Sequence, residues 1–162
     1  MARDPENTLI MDLKSGPVVI ELKPDVAPNH VARIKELTRQ GFYDGIVFHR
    51  VIPGFMAQTG DPTGTGSGGS ELDDLRSEFS NEKHKRGTVS AARTSDPDSA
   101  NSQFFICFED APWLDRQYSV WGEVVEGMDH VDAIKKGNGN SGAISGAPDK
   151  ILKMRVEADA KG

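Results

Sequence analysis

A mainly β fold, a barrel or a sandwich, is what this sequence predicts, and three observations predict it. About eight short runs rich in β-branched and aromatic residues are separated by Gly, Asn and Pro turn signals. Only two short stretches carry a helical period. Strands and helices do not alternate as they would around a parallel sheet. The 162 residues contain no internal repeat and no linker composition, so a single domain over 1–162 is expected. Such a chain can bury roughly 70% of its unfolded surface around one core.

The elements follow in chain order. Residues 8–13 and 18–22 are β-rich and flank Lys14-Ser15-Gly16-Pro17, a turn signal, so they read as a hairpin. Pro28 suits a first helical turn, where its missing N–H is not needed; Val31, Ile34 and Leu37 share a face, and Gly41 can close the end. A helix is expected from about 28 to 40. Further strands are expected at 46–50, 55–58, 88–92, 103–108 and 119–125. The second helical pattern is Met128, Val131 and Ile134, with Lys135 and Lys136 in its last turn favouring the negative end and Gly137 as the stop. NGNSGAISGAPD (138–149) is too rich in Gly, Asn and Ser to pack as an element, and a last strand is expected at 151–156.

Charge and composition exclude several functions. A formal net charge of -6 and a pI near 5.2 argue against nucleic acid, which needs a concentrated Lys/Arg face. The start, MARDPENTLIMDLKSG, lacks the basic and then apolar pattern of a secretory signal, and no apolar run approaches membrane-spanning length. A soluble, cytoplasmic protein is expected. The single cysteine, Cys107, agrees with a reducing compartment.

Familiar catalytic patterns fare poorly. GTGSGG (64–69) matches the G-x-G-x-x-G dinucleotide fingerprint, but Asp61-Pro62 interrupts the approach, and Glu71, Asp73 and Asp74 would repel phosphate. A surface loop is the better reading, and no cofactor is expected. His30, His49, His84 and His130 are dispersed, without metal-ligand spacing. SDPDSAN (95–101) lacks the glycine and distal glutamate of a calcium loop and reads as an exposed turn. No serine sits in G-x-S-x-G, and no His/Asp pair is obviously placed to activate one.

What remains is FHRVIPGFMAQTGD (48–61), SAART (90–94), NSQFFIC (101–107) and APWLDRQYSVWG (111–122). On these the chain resembles the cyclophilin family of peptidyl-prolyl cis-trans isomerases. F-H-R-x-I-x-G-F-x-x-Q-x-G-D is specific in one run, N-S-Q-F-F-I is a second match, and W-L-D at Trp113 to Asp115 follows in place. The likeness extends from about residue 8 to 157. It implies an eight-stranded antiparallel closed barrel capped by two helices. Side chains fill small barrels, so the groove should lie outside.

The implied reaction accounts for the missing nucleophile. Rotating an X-Pro bond breaks amide resonance and no covalent bond, over a barrier of roughly 18–20 kcal/mol. As the proline nitrogen pyramidalises it becomes a better acceptor, and a fixed donor there stabilises the twisted state above the planar one. The guanidinium, always protonated and rich in donors on a rigid plane, suits the task. The resemblance implies a catalytic set of Arg50, Gln58 and Phe55, with Gln58 orienting Arg50. It implies a proline pocket of Phe55, Met56, Phe105 and Leu114, groove contacts at Ala92, Arg93 and Gln103, and a rim tryptophan, Trp113. Arg93 would act through its backbone, since the family commonly has asparagine there.

Expected partners are proline-containing peptides, unfolded or folding proteins and cyclosporin, bound by a monomer. Tyr118 departs from a histidine common at the groove edge. GTGSGGSELDDLRSEF (64–79) is shorter and more acidic than in many eukaryotic members, and a preference against acidic residues before the proline is expected there. SDPDSAN is one residue longer. His49 should point away from Arg50 and make a structural hydrogen bond. Cys107, two residues after Phe105, should be a buried small hydrophobe.

Overall fold

In the computed structural model, which describes residues 5–65, 68–139, 141–144 and 146–161, the first hairpin forms with the expected pairing. Strands β1 (Thr8–Leu13) and β2 (Gly16–Leu22) pair antiparallel, with Leu13 opposite Gly16, so only Lys14 and Ser15 turn the chain. Gly66, Ser67, Asn140 and Ser145 of the two glycine-rich loops, with residues 1–4 and 162 of the expected domain, fall outside the described residues.

Helix α1 (Pro28–Arg39) runs to within a residue of its expected end and buries Val31, Ile34 and Leu37. Its first amides are satisfied from a distance: Asn29 N–H and His30 N–H donate to the Glu78 carboxylate at 3.2 and 2.9 Å. Strands β3 (Arg50–Ile52), β4 (Met56–Thr59), β5 (Thr88–Ala91), β6 (Phe104–Cys107), β7 (Val120–Glu126) and β8 (Lys153–Val156) complete the sheet.

Helix α2 (Met128–Asp132) is shorter than the pattern through Lys136 suggested. Beyond it the backbone is drawn elsewhere: Lys135 N–H donates to Asp149 at 2.8 Å and Gly137 N–H to Val51 O at 2.8 Å. Lys136 still serves the helix end, its ammonium donating to the carbonyls of Asp132 and Ile134. Three 3-10 turns, Pro5–Asn7, Pro112–Leu114 and Glu157–Lys161, carried no periodic signal in the sequence.

All strand pairs are antiparallel, in the order β3-β4-β6-β5-β7-β2-β1-β8. The expected closed barrel is corrected to a curled half-barrel, open between β3 and β8. The stretch expected as strand 46–50 starts its ladder only at Arg50. Before that, the two edges meet at an isolated bridge, Val47 with Lys150, and through Gly45 N–H to Ile151 O, Phe48 N–H to Asp149 O and Ile151 N–H to Ile46 O. Pro148 cannot donate, which limits the pairing on that side, and Asp149 joins it through its carbonyl, while its carboxylate turns to Lys135 N–H and the Lys14 ammonium.

The strand period of two sorts side chains into two apolar clusters. Phe104, Ile106, Val89, Ala91, Ala57 and Val51 face inward with Trp121, Phe48, Leu9, Ile20 and the α1 face. Their sequence neighbours Phe105, Cys107, Ala92, Met56 and Ile52 face outward with Ala111 and Leu114, flanked by Phe55 and Tyr118.

Candidate active site

Register builds the site on the outer cluster. Arg50 on β3 lies opposite Gln58 on β4, Gln58 opposite Phe105 on β6, and Phe105 opposite Ser90 on β5. Directly opposed residues share a face, so these four form one row across the sheet. A second row, Ile52, Met56 and Cys107, lies beside it. A cavity of about 190 Å³ opens over both, lined by Arg50, Phe55, Met56, Gln58, Ala92, Arg93, Phe105, Leu114 and Tyr118. Of the residues singled out from the sequence, only Gln103 and Trp113 lie outside this lining. Gln103 lines an adjoining polar cavity of about 520 Å³, which shares Gln58, Ala92 and Arg93 and includes Asp74. Trp113 is 65% exposed at the rim, its ring centroid 5.7 Å from that of Phe55.

The polar side of the pocket is a directed chain of hydrogen bonds. Arg50 Nη1 donates to Gln58 Oε1 at 3.2 Å, Gln58 Nε2 to Gln103 Oε1 at 2.9 Å, and Gln103 Nε2 to Gly68 O at 2.9 Å. Arg50 Nε donates to Ser141 O at 3.1 Å, while Nη2 makes no hydrogen bond among the described residues. The guanidinium is thus fixed from two sides with donor capacity left at the pocket.

Ser141 was invisible to sequence reasoning, which treated the 138–149 loop as unpacked. Part of that loop packs on β3: Gly142 O accepts from Val51 N–H at 2.9 Å, and Ala143 bridges Arg50. Gly142 was the available signal. Its φ is +76°, and a Cβ there would sit 2.7 Å from Arg50 Cγ.

The other glycine-rich loop holds an anion of the chain's own. The buried Asp61 carboxylate accepts from Thr63 N–H at 2.8 Å, Thr65 N–H at 3.1 Å and Gly68 N–H at 3.0 Å. The Thr63, Thr65 and Gly68 amides, which a nucleotide loop would offer to phosphate, are therefore already engaged, and among the described residues the next element is a strand, not a helix.

The apolar side is backed by residues that sequence reasoning missed. Phe105 meets Tyr118 edge to face at 5.6 Å and stacks on the His84 ring at 6.1 Å with 17° between planes. His84 Nδ1 lies 3.2 Å from Asp115 Oδ1 and Nε2 lies 3.1 Å from Ser90 Oγ. Burial pushes the His84 pKa down, against the opposing pull of Asp115. The His84 backbone N–H donates to the Asp115 carboxylate, which holds that carboxyl below its ordinary range. A carboxylate only accepts, so Nδ1 carries the proton and Nε2 accepts from the Ser90 hydroxyl. Spacings of 6 and 31 residues gave no motif to find.

Arg93 does more than lend its backbone. Its guanidinium lies 4.5 Å above the Tyr118 ring and donates to Gln117 O at 3.0 and 2.7 Å and to Thr94 O at 2.9 Å. His49 corrects its expectation: Nδ1 is buried without a hydrogen-bond partner among the described residues, and burial lowers its pKa. Cys107 is fully buried, and that burial pushes its thiol up to about 12.

Comparison with known proteins follows the same lines. A family model described as "Cyclophilin type peptidyl-prolyl cis-trans isomerase/CLD" matches residues 8–156. A protein of Brucella suis named "Probable peptidyl-prolyl cis-trans isomerase" is 56% identical over 172 residues, covering 99% of this chain and 87% of its own. An Aspergillus oryzae protein named "Peptidyl-prolyl cis-trans isomerase-like 1" is 35% identical, covering 90% and 92%. Among solved structures, a cyclophilin from Hirschia baltica superposes with a TM-score of 0.86 at 31% identity, covering 98% of this chain and 77% of that one. A Cryptosporidium parvum cyclophilin type peptidyl-prolyl cis-trans isomerase, solved in the presence of the dipeptide Ala-Pro, gives 0.85 at 26%, covering 92% and 98%.

Proposed function

The chain belongs to the cyclophilin-type peptidyl-prolyl cis-trans isomerase family and is such an isomerase; from that premise we propose that Arg50 is its catalytic donor. The observation that carries this reading is the Arg50 guanidinium at the wall of an apolar pocket, held by Gln58 and Ser141 with Nη2 uncommitted among the described residues.

The substrate's proline ring enters between Phe105, Met56 and Leu114, with Phe55 at the side, and displaces water. Rotation of the X-Pro bond turns the nitrogen lone pair into an acceptor, and Arg50 donates to it. The donor meets an acceptor that is strong only in the twisted state, so it lowers the barrier rather than merely tightening binding. No proton leaves and no covalent intermediate forms. Gln58 offers Arg50 an oxygen and spends its amino group on Gln103, so it orients the cation without competing for the peptide.

The flanking contacts extend the reading. The Arg93 backbone makes no hydrogen bond among the described residues, which supports a main-chain contact with the peptide beside Ala92 and Gln103. Asp74 in the wall of the larger cavity supports discrimination against acidic residues before the proline. Peptides differing only there should favour Lys over Asp; equal kcat/KM at low salt overturns the preference. The exposed Trp113 supports cyclosporin binding, and Tyr118, tied to Arg93, is expected to change its affinity, read by inhibition of the native chain against Tyr118→His. Clients are exposed X-Pro bonds in peptides and folding proteins. A cytoplasmic monomer acting as one domain over 1–162 is the setting we propose; the buried, lone Cys107 supports a reducing compartment.

The test is relaxation of a cis-enriched proline peptide, with native chain and Arg50→Ala side by side. The native chain accelerates it, and Arg50→Ala loses nearly all of the effect with its far-UV spectrum intact. A folded Arg50→Ala of full activity refutes the assignment.

A further inference from the structure

Ser90, His84 and Asp115 are the three residue types of a hydrolytic triad, connected in the usual sense, yet no substrate can reach them. Ser90 and His84 are 0% and 1% exposed, and Phe105 lies between them and the pocket. Nucleophilic use is thereby excluded.

What the three residues join is more informative. Asp115 closes the Pro112–Leu114 turn, which carries Trp113 and Leu114, and its N–H donates to Pro112 O. His84 grips that turn at both ends: its N–H donates to Asp115 Oδ1 at 2.7 Å, and its carbonyl accepts from Ala111 N–H at 2.7 Å. Its ring reaches Ser90 on β5, stacks on Phe105 and meets the edge of Tyr118 at 6.3 Å. Phe105 on β6 and the 111–122 segment that carries Leu114 and Tyr118 are thus referred to this one buried imidazole, Phe105 and Tyr118 by ring contact and Leu114 through the adjacent Asp115.

We propose that His84 is a positioning residue of the isomerase: through Asp115 and Ser90 it fixes the tilt of Phe105 and the height of Leu114, the surfaces between which the proline ring turns. This rests on the pocket assigned above. An apolar side chain would fill the same space but would remove the ring's bond to Asp115 and leave the buried Ser90 hydroxyl without its acceptor, so the imidazole does more here than pack. An imidazole hydrogen-bonded at both nitrogens also fixes the ring's rotation, and Phe105 inherits that plane by stacking. Small displacements of a surface that must match the twisted amide cost rate more than affinity.

The test compares His84→Phe, which keeps a ring and loses both bonds, with His84→Gln, which keeps a donor and an acceptor. Both are assayed well below their melting temperatures beside the native chain and Arg50→Ala. His84→Phe should lower kcat about tenfold with KM changed less than about twofold, and His84→Gln should recover part of the loss. The NMR signals of the Phe105 ring should shift in His84→Phe. Full kcat in folded His84→Phe, or a loss carried wholly by KM, overturns the proposal. Should His84→Phe not fold, Ser90→Ala deletes only the outer bond and should lower kcat about threefold; unchanged kcat there overturns it equally. A native chain without isomerase activity would instead reject the function itself, before any variant is compared.

Discussion

The two apolar clusters are made from the same strands and do opposite work. Phe104 and Phe105 are neighbours in sequence; Phe104 lies inside the curled sheet against Tyr43 and Trp121, and Phe105 lies outside under the pocket. The inner cluster is closed by strands and α1. The outer one is small and partly open, and the cavity above it is where we propose that a proline ring sits. A strand thus spends alternate residues on stability and on chemistry, and a change of one position moves a substitution from one account to the other.

Four experiments break or sharpen that contrast. The largest effect is expected from Phe104→Ala, which should cost about 3–5 kcal/mol in denaturant unfolding while leaving the activity of folded molecules near normal. Phe105→Ala should reverse the balance, with about half that cost and most of the activity gone. If the two variants lose stability and activity in equal proportion, the division between clusters is wrong. Next comes Arg50→Ala, expected to lower kcat/KM roughly 100- to 1,000-fold, about 2.7–4 kcal/mol in the barrier, with little change in melting temperature.

Gly142→Ala should fall below both. The added methyl would sit 2.7 Å from Arg50 Cγ and 2.9 Å from Ile52 Cγ1, at a φ that L side chains rarely adopt. Activity should drop about tenfold and stability by about 1 kcal/mol, read by the same assays. Normal activity would mean that the loop does not hold the arginine.

The smallest effect is a pH dependence. Burial depresses the pKa values of His30, His49 and His84. The unfolded chain then binds protons more readily than the folded one, so stability is full above the ordinary histidine range and declines as pH falls through it toward the folded values. The lowered Asp115 carboxyl acts in the same direction at still lower pH, through its own folded value. Melting temperature should be lower at pH 5.5 than at pH 7.5; identical values would contradict this.

The shared face of Phe105 and Cys107 was legible in the sequence because period-two alternation is a local property, and Arg50, Gln58 and Phe105 were singled out because they stand in contiguous motifs; the inner cluster was not read in advance. What was hidden depends on segments distant in the chain. The Ser141 carbonyl reaches Arg50 across 91 residues, and Asp115 reaches His84 across 31. Closure of the barrel failed as an expectation for a related reason, since it depends on how two edges about 100 residues apart in the chain meet, and among the described residues they pair only through an isolated bridge and a few hydrogen bonds. The end of α2 was similarly set by Val51 and Asp149 rather than by its own pattern.

The loop around Asp61 reaches further than its own turn. From Arg50 through Gln58 and Gln103 to the Gly68 carbonyl, each amide dipole points its negative end at the cation. The Gly68 N–H then faces the Asp61 carboxylate. The three bonds run in one sense, an arrangement in which each strengthens its neighbours by about 10–30%. Gly68, whose carbonyl ends that run, is itself tied by its N–H to the buried Asp61, so the far end of the chain that orients the guanidinium is anchored on an anion.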